Sequence, residues 1–459
     1  MNKIISTLFI SIILLTLGSC RKYVEVDPQQ MKILETTSQY QQLLYNSNNM
    51  DAAYNFPIFS GDDFGSDEQS WQTVNTNNII IKNSYIWADR IYGSEDEDMD
   101  WSNLYKQMFI CNTVIDGVMD SKEGTTSMKE GVMAAAKVHR AFIYFVLVNM
   151  YAKQYDAATA GTDLGVPLVL SPKFLTDLTR ASVQTVYSQI KKDLTDALPA
   201  LPDRPDFISN PSKAAAYSIL ARVCLNTREF SEAKRYADLT LSIQNTLLDL
   251  NTYKNLSTTP FPLKFQNPEE IFFKRATYFQ SSMPISASAI ALYDQTNDLR
   301  YKIYLTPPPF AGSNFTTGVG YFKHRIVTDG LYVGPNVPEM MLIKAECEAR
   351  ADNSTAATNI LNTLRRKRYD ATNYNADVAA ATGSEALRLV IDERRREFIG
   401  KGFRWFDQRR LSKDAGLVPT VTRTFLGETY TLEPGSNRYT YPIADKYITL
   451  NPEIIQNPR

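Results

Sequence analysis

Histidine is nearly absent from this 459-residue chain, which has only His139 and His324. Two rings so far apart supply neither a His-rich metal centre nor most His-based catalytic triads. Cysteine is scarce too: Cys20, Cys111, Cys224 and Cys347. Beyond Cys20 the count is odd and each residue lies in an apolar helical context. That argues against a disulfide framework and for buried small hydrophobes. An excess of one charge sign is also missing. Lys+Arg 49 against Asp+Glu 50 leaves a net charge of -1, which removes the electrostatic case for nucleic-acid binding. No run of eighteen apolar residues occurs, so no uninterrupted apolar stretch is long enough to cross a bilayer as a helix.

What the chain does have is an ordinary globular composition, 44% hydrophobic and 22% charged, with a surplus of aromatics: Tyr 26, Phe 22 and Trp 4. Its first residues, Met1-Asn2-Lys3, are a short basic start to the apolar stretch 4–17. That stretch would span about 21 Å as a helix, short of a bilayer core of about 30 Å. Residues 1–19 therefore read as a secretory signal outside the fold. The stretch ends in Leu17-Gly18-Ser19-Cys20, which resembles a bacterial lipobox, and Cys20 is the expected site of lipidation. Two or more acyl chains make such an anchor stable, at roughly 0.8 kcal/mol per buried CH₂. Residues 20–30 then read as a tether and 31–459 as one domain.

Helical spacing dominates that domain. Residues 128–151 carry one buried stripe, Ala134, Val138, Ala141, Phe145 and Val148, at i, i+4, i+7, i+11 and i+14. Residues 101–119 and 183–198 are further helices, the latter stopped by Pro199 and Pro202. Two helical hairpins follow. In the first, Ala214, Tyr217, Ala221 and Cys224 face Ala233, Ala237 and Thr240 across a turn at Arg228-Glu229. In the second, Met341, Ala345 and Ala349 face Ile360 and Leu364 across Asp352-Asn353. Alanines at the contact positions let helix axes approach closely. The expected fold is mainly α, a tetratricopeptide-like hairpin scaffold with long irregular loop excursions and minor β. No fixed 34-residue period is present. The helical period is lost over 54–100 and again over 250–337, where prolines and aromatics concentrate; long irregular segments of this kind usually carry function.

The tail carries a family signature. Ile391-Asp392-Glu393-Arg394-Arg395-Arg396-Glu397-Phe398, followed by Gly402-Phe403-Arg404-Trp405-Phe406-Asp407-Gln408-Arg409-Arg410, resembles the ERR-EF…G-RWFD-RR motif of SusD/RagB nutrient-binding outer-membrane lipoproteins. Residues 439–443, with Asn451-Pro452 and Asn457-Pro458, resemble that family's C-terminal strand and Asn-Pro pairs. Residues 23–28 resemble its tether, and 213–237 and 337–366 its hairpins. The resemblance implies a SusD-like fold. It also implies a surface lipoprotein that binds an oligosaccharide or a peptide, without catalysis, as the lid of a SusC-like TonB-dependent outer-membrane transporter. The arginines can equally be read from physics. The guanidiniums of Arg394 to Arg396 can fork onto Glu393, Glu397 or Asp407, and an internal ion-pair network is expected over an anion site.

A sugar needs aromatic platforms for its C–H faces and carboxylates or amides for its hydroxyls. The first loop region offers Asp62, Asp63, Trp71 and Trp87, and the second Tyr278, Tyr293 and Phe310. These are the candidate ligand contacts, Trp71 foremost. The acidic run 95–98 with Asp100 lacks the spaced oxygen ligands and central glycine of a calcium loop; no cofactor is expected. A hydrolase would need two carboxylates about 5–5.5 or 6.5–9.5 Å apart, for which only Asp62, Asp63, Glu68 and Asp100 stand out. A scaffold that binds protein partners alone would leave the aromatic loops dispensable.

Overall fold

The computed structural model describes residues 34–173, 177–262, 265–278, 283–310, 313–321 and 330–459. The expected signal, Cys20 and the tether lie outside these residues.

The chain begins with α1 (Thr37–Tyr45), whose N-terminus closes in a reciprocal capping box between Thr36 and Gln39, and α2 (Ser47–Met50). The 54–100 region is less irregular than its sequence suggests. It holds three short helices, α3 (Pro57–Ser60), α4 (Gln69–Asn75) and α5 (Ile79–Tyr85). Asp98 then caps α6 (Met99–Gly117), its carboxylate accepting from the amides of Asp100 and Trp101. α7 (Thr126–Tyr151) buries the whole predicted stripe. By length and hydropathy α7 could cross a membrane, because its most apolar window includes scattered polar residues that a strictly apolar run does not count. It does not need to, since 78% of that window is buried inside the protein.

A short antiparallel pair, β1 (Leu164–Pro167) and β2 (Arg180–Ser182), leads into α8 (Val183–Ala197), capped by Ser182. The first hairpin is α9 (Lys213–Asn226) and α10 (Phe230–Ile243). Residues 250–337 contribute small pieces: β3 (Arg275–Ala276), α11 (Ala287–Ile290), α12 (Leu299–Tyr304), β4 (Leu305–Thr306), β5 (Gly320–Tyr321) and β6 (Leu331–Tyr332). β3 pairs with β6 and β4 with β5, both antiparallel. The second hairpin is α13 (Val337–Arg350) and α14 (Ser354–Arg365). Then come α15 (Gly383–Glu397), α16 (Phe403–Leu411), the β7–β8 hairpin (Val421–Phe425 and Glu428–Leu432) and α17 (Asp445–Leu450).

The helices stack in sequence: α6 on α7, α7 on α8, α8 on α9, α9 on α10, α10 on α13, and α13 on both α14 and α15. Ala214, Ala221, Ala233, Ala237, Ala345 and Ala349 are buried at these contacts, as the spacing predicts. Both hairpins turn at a residue in the left-handed region, Arg228 (φ 65°) and Asp352 (φ 62°). Cys111, Cys224 and Cys347 are buried and unpaired, and burial raises each thiol to about 12. The expected strand at 439–443 is not formed. Asn437–Tyr439 is a 3₁₀ turn, and the following segment is tied only at single points, such as the Tyr441 amide donating to the Met150 carbonyl.

Behind the hairpins lies the arginine network. Arg394 donates to Asp407 at 2.8 Å and Arg410 to Glu346 at 2.6 Å. Arg222 grips Glu339, and Arg368 bridges Glu397 and Glu269. Arg396 folds back on Glu393 at 2.7 Å. The network is internal, and Arg395 alone of the triplet reaches outward, to the loop that carries Asp62 and Asp63.

Candidate functional site

That loop is the floor of a cleft of about 730 Å³. It follows directly from α3, whose first-turn Pro57 suits a helix start, and its backbone is fixed by arginines from distant segments. Arg404 of α16 forks onto the Asp62 carboxylate at 2.6 and 3.1 Å. Arg395 of α15 donates to Asp63 at 3.0 Å, to the Asp62 carbonyl at 2.9 Å and to Ser288 at 3.1 Å. Burial alone would raise the Asp62 carboxyl, but Arg404 and Arg395 hold it at about 2. Asp63 is buried deeper and burial wins, pushing its carboxyl up.

The second wall is the β7–β8 hairpin, whose two-residue turn, Leu426-Gly427, has positive φ at both positions, as a tight hairpin of this twist requires. Along β7 the side chains alternate: Thr422 and Thr424 are exposed, Arg423 and Phe425 buried. Among the described residues Arg423 has no carboxylate partner. Its guanidinium instead donates to the carbonyls of Phe59, Gly61, Phe64 and Tyr85 and packs 4.0 Å from the Tyr85 ring and 4.4 Å from that of Trp87. One side chain thereby satisfies four carbonyls, those of Phe59 and Tyr85 in the last turns of α3 and α5 and those of Gly61 and Phe64 in the loop between.

The third wall comes from 284–290 and 316–318. Glu68 crosses to it. One carboxylate oxygen accepts from the amide and hydroxyl of Thr316 at 2.7 and 3.0 Å, the other from those of Thr317 at 2.9 and 2.6 Å. The Thr317 hydroxyl leads these contacts in holding the carboxyl down at about 2. The rim thus combines acids (Asp67, Glu68) with hydroxyls (Ser66, Ser286, Thr317, Thr420), and aliphatic surface from Pro419, Val421 and Ile290. Glu68→Ala is expected to speed amide hydrogen exchange at Thr316 and Thr317 at least about tenfold, since hydrogen bonds to charged groups contribute about 1.5–3 kcal/mol. Native-state exchange measured by NMR checks this.

The structure places the expected ligand contacts differently from the sequence reading. Asp62 lines the cleft but is spent on Arg404 and Arg395; Asp63 is buried against Arg395. Trp71 is 1% exposed, edge-on to Tyr85 at 5.2 Å and Phe425 at 6.4 Å. Trp87 is 2% exposed, and its indole N–H donates to the Ser60 carbonyl at 2.9 Å. Tyr293 is buried with its hydroxyl donating to the Arg396 carbonyl at 2.7 Å. These three rings are core under the loops and offer no open face for a sugar. Tyr278 and Phe310 are half-buried and outside the cleft's lining. The Tyr278 hydroxyl accepts from Asn78 at 2.8 Å, and Phe310 packs edge-on to Phe315.

The other acids are committed as well. Asp100 accepts from the amides of Asn55 and Phe56, and Asp98 from the Tyr151 hydroxyl. Among the described residues, no group of three His, Cys, Asp or Glu is placed to hold a metal ion. Arg423 is not picked out by the sequence; Glu68 stands out there only as one of four acids a hydrolase would need, and Arg395 only as part of the arginine network. The β7–β8 hairpin had a local signal, threonines alternating with buried positions on either side of Leu426-Gly427. The Glu68 crossing had none.

Comparison with known proteins agrees with this architecture. A family model described as "Starch-binding associating with outer membrane" (SusD-like) matches residues 22–225, and the SusD family model matches residues 265–459. A SusD superfamily protein from Bacteroides thetaiotaomicron superposes with a TM-score of 0.75 at 18% identity, covering 92% of this chain and 100% of its own. A SusD-like carbohydrate binding protein from Bacteroides vulgatus gives 0.65 at 20% identity, with 92% and 98% covered. Surface glycan-binding protein A from Bacteroides uniformis gives 0.67 at 16% identity, with 92% and 98% covered. No curated protein sequence matches the chain. The chain belongs to the SusD/RagB family and has its mainly α fold.

Proposed function

We propose that this chain is a cell-surface lipoprotein, anchored through Cys20 in the outer membrane. In this reading it captures an oligosaccharide in the cleft and delivers it intact to a SusC-like TonB-dependent transporter. The observation that carries the reading is the cleft itself: about 730 Å³, within the range of ligand sites, and lined by carboxylates and hydroxyls. Carboxylates accept from sugar hydroxyls, serine and threonine hydroxyls both donate and accept, and the aliphatic patches suit C–H faces. Starch and outer-membrane association in the matching family's description, and carbohydrate or glycan in the relatives' names, support the same class of ligand. The four acids considered for hydrolysis are each held by arginines, amides or hydroxyls, which supports binding without bond cleavage.

Calorimetric titration against oligosaccharide and peptide panels, with chromatography of each mixture afterwards, tests this. The expected result is saturable binding of one saccharide class, ligand recovered intact, and an affinity lowered at least about tenfold by Asp67→Ala with Thr422→Ala. Cleaved ligand, or binding of peptides alone, would overturn it. Co-purification of a TonB-dependent barrel from outer membranes tests delivery.

A further inference from the structure

Most hydroxyls that line the cleft have used their hydrogens inside the protein. Thr317 donates to the Glu68 carboxylate at 2.6 Å, Thr420 to that of Glu433, and Ser286 to the Asp62 carbonyl at 2.6 Å. A carboxylate or carbonyl oxygen has no hydrogen to give, so the direction of each bond is fixed. Ser288 lies 3.2 Å from the Ser286 oxygen, whose own hydrogen is spent, and therefore donates to it. The Ser288 oxygen in turn accepts from Arg395 at 3.1 Å. Thr317, Thr420 and Ser288 are all exposed, and what each has left for a ligand is a lone pair.

Arg395 and Arg423 are the cations among the described lining residues, and both are turned to the protein. Arg395 is 10% exposed and ion-pairs with Asp62 and Asp63. Arg423 is 6% exposed and gives its hydrogens to four backbone carbonyls. Asp67, by contrast, is exposed and has no ion pair among the described residues, and an ionised carboxylate only accepts. Ser66 and Thr422 supply the uncommitted hydroxyl hydrogens, Ser66 itself accepting from the Glu68 amide at 3.1 Å. The side chains of the cleft therefore offer acceptors in excess, with negative charge on the rim. A ligand group that carries hydrogens, a hydroxyl or an amine, is matched by this surface. A carboxylate or sulfate would bring more acceptors and would meet Asp67 as a like charge, giving up water without regaining donors.

We infer that, among saccharides, the cleft takes those that present hydroxyl or amino groups and turns away uronic-acid and sulfated ones. This rests on the glycan reading proposed above and narrows it. The full chain would be titrated calorimetrically with tetrasaccharides of α-1,4-glucan, β-1,3-glucan, β-1,4-mannan and β-1,4-glucosamine. Beside them would stand tetragalacturonate and the forms of the first three oxidised to the carboxylate at C6, which keep linkage and length. The expected result is that each neutral tetrasaccharide that binds does so at least about tenfold tighter than its own C6 carboxylate. Asp67→Asn keeps the size of the side chain and puts amide hydrogens where an acceptor stood. It should narrow that ratio at least about threefold, with melting recorded to show that the variant folds. A C6 carboxylate that binds as tightly as its neutral parent, tetragalacturonate bound alone, or a ratio that Asp67→Asn leaves unmoved would overturn this inference and leave the glycan reading standing. Binding of no saccharide, charged or uncharged, would overturn both.

Discussion

Arg300→Met is expected to lower the unfolding free energy by about 3–5 kcal/mol, the usual cost of removing one partner from a buried ion pair. Arg300 is 0% exposed and touches three carboxylates: Asp298 at 2.8 Å, Glu393 at 2.7 Å and Glu397 at 2.9 Å. Methionine fills much of the same volume, so the loss reports charge rather than a cavity. Glu393 keeps Arg365 and Arg396, and Glu397 keeps Arg368, but Asp298 loses its only ion-pair partner among the described residues. Denaturant midpoints check the expectation. The exposed pair Arg235–Glu232, 2.7 Å apart but half in water, is the internal control: Arg235→Met should cost under about 1 kcal/mol. Equal effects would show that the buried network does not hold the scaffold.

The same network sets the acid limit of the fold. Burial alone would raise the carboxyls of Glu346 and Glu397. The guanidiniums of Arg410 and Arg350, and of Arg368 and Arg300, overcome it and hold both at about 2, against 4.5 in an exposed chain. A carboxyl lowered by folding contributes stability that is fully present above its unfolded pKa and is lost as pH falls. For these two the loss runs from about pH 4.5 down to about 2, on the order of a few kcal/mol each. Asp100 works in the opposite sense. Burial, then the neighbouring Asp98 charge, raises it from 3.8 to about 7, so its contribution is complete below pH 3.8 and is lost as pH rises through 7. Melting temperature measured from pH 2 to 8 should therefore peak near pH 5, falling steeply on the acid side and gently toward neutral. Glu346→Gln should shallow the acid limb, and a profile flat from pH 5 to 2 would contradict the assignment.

Much of the scaffold was legible in the sequence because its signals are local and repeated. The α7 stripe spans four turns, and the hairpin alanines recur on both sides of a marked turn. The loop regions hid more. α3, α4 and α5 are at most seven residues long, fewer than two full turns, too short for a 3.6-residue period to show. The aromatics beside them were therefore read as exposed platforms, when Trp71 and Trp87 are the small core under those loops. The acids were misread for another reason: their partners are remote. Asp62 meets Arg404 across 342 positions and Glu68 meets Thr316 across 248. Nothing near a carboxylate in sequence announces a guanidinium that only folding delivers. The arginine motif was read correctly as internal because part of its pairing, Arg394 with Asp407 and Arg396 with Glu393, lies within thirteen residues.

Arg395, Arg404 and Arg423, which fix the floor and one wall of the cleft, all come from the last sixty-five residues of the chain. During synthesis the loop bearing Asp62 emerges hundreds of residues before anything that can hold it in shape. A chain interrupted before α15 would carry both stretches of loop yet lack every one of these guanidiniums, and so would have no formed site. A formed cleft is thereby a property of finished molecules only, and an abortive translation product would lack one.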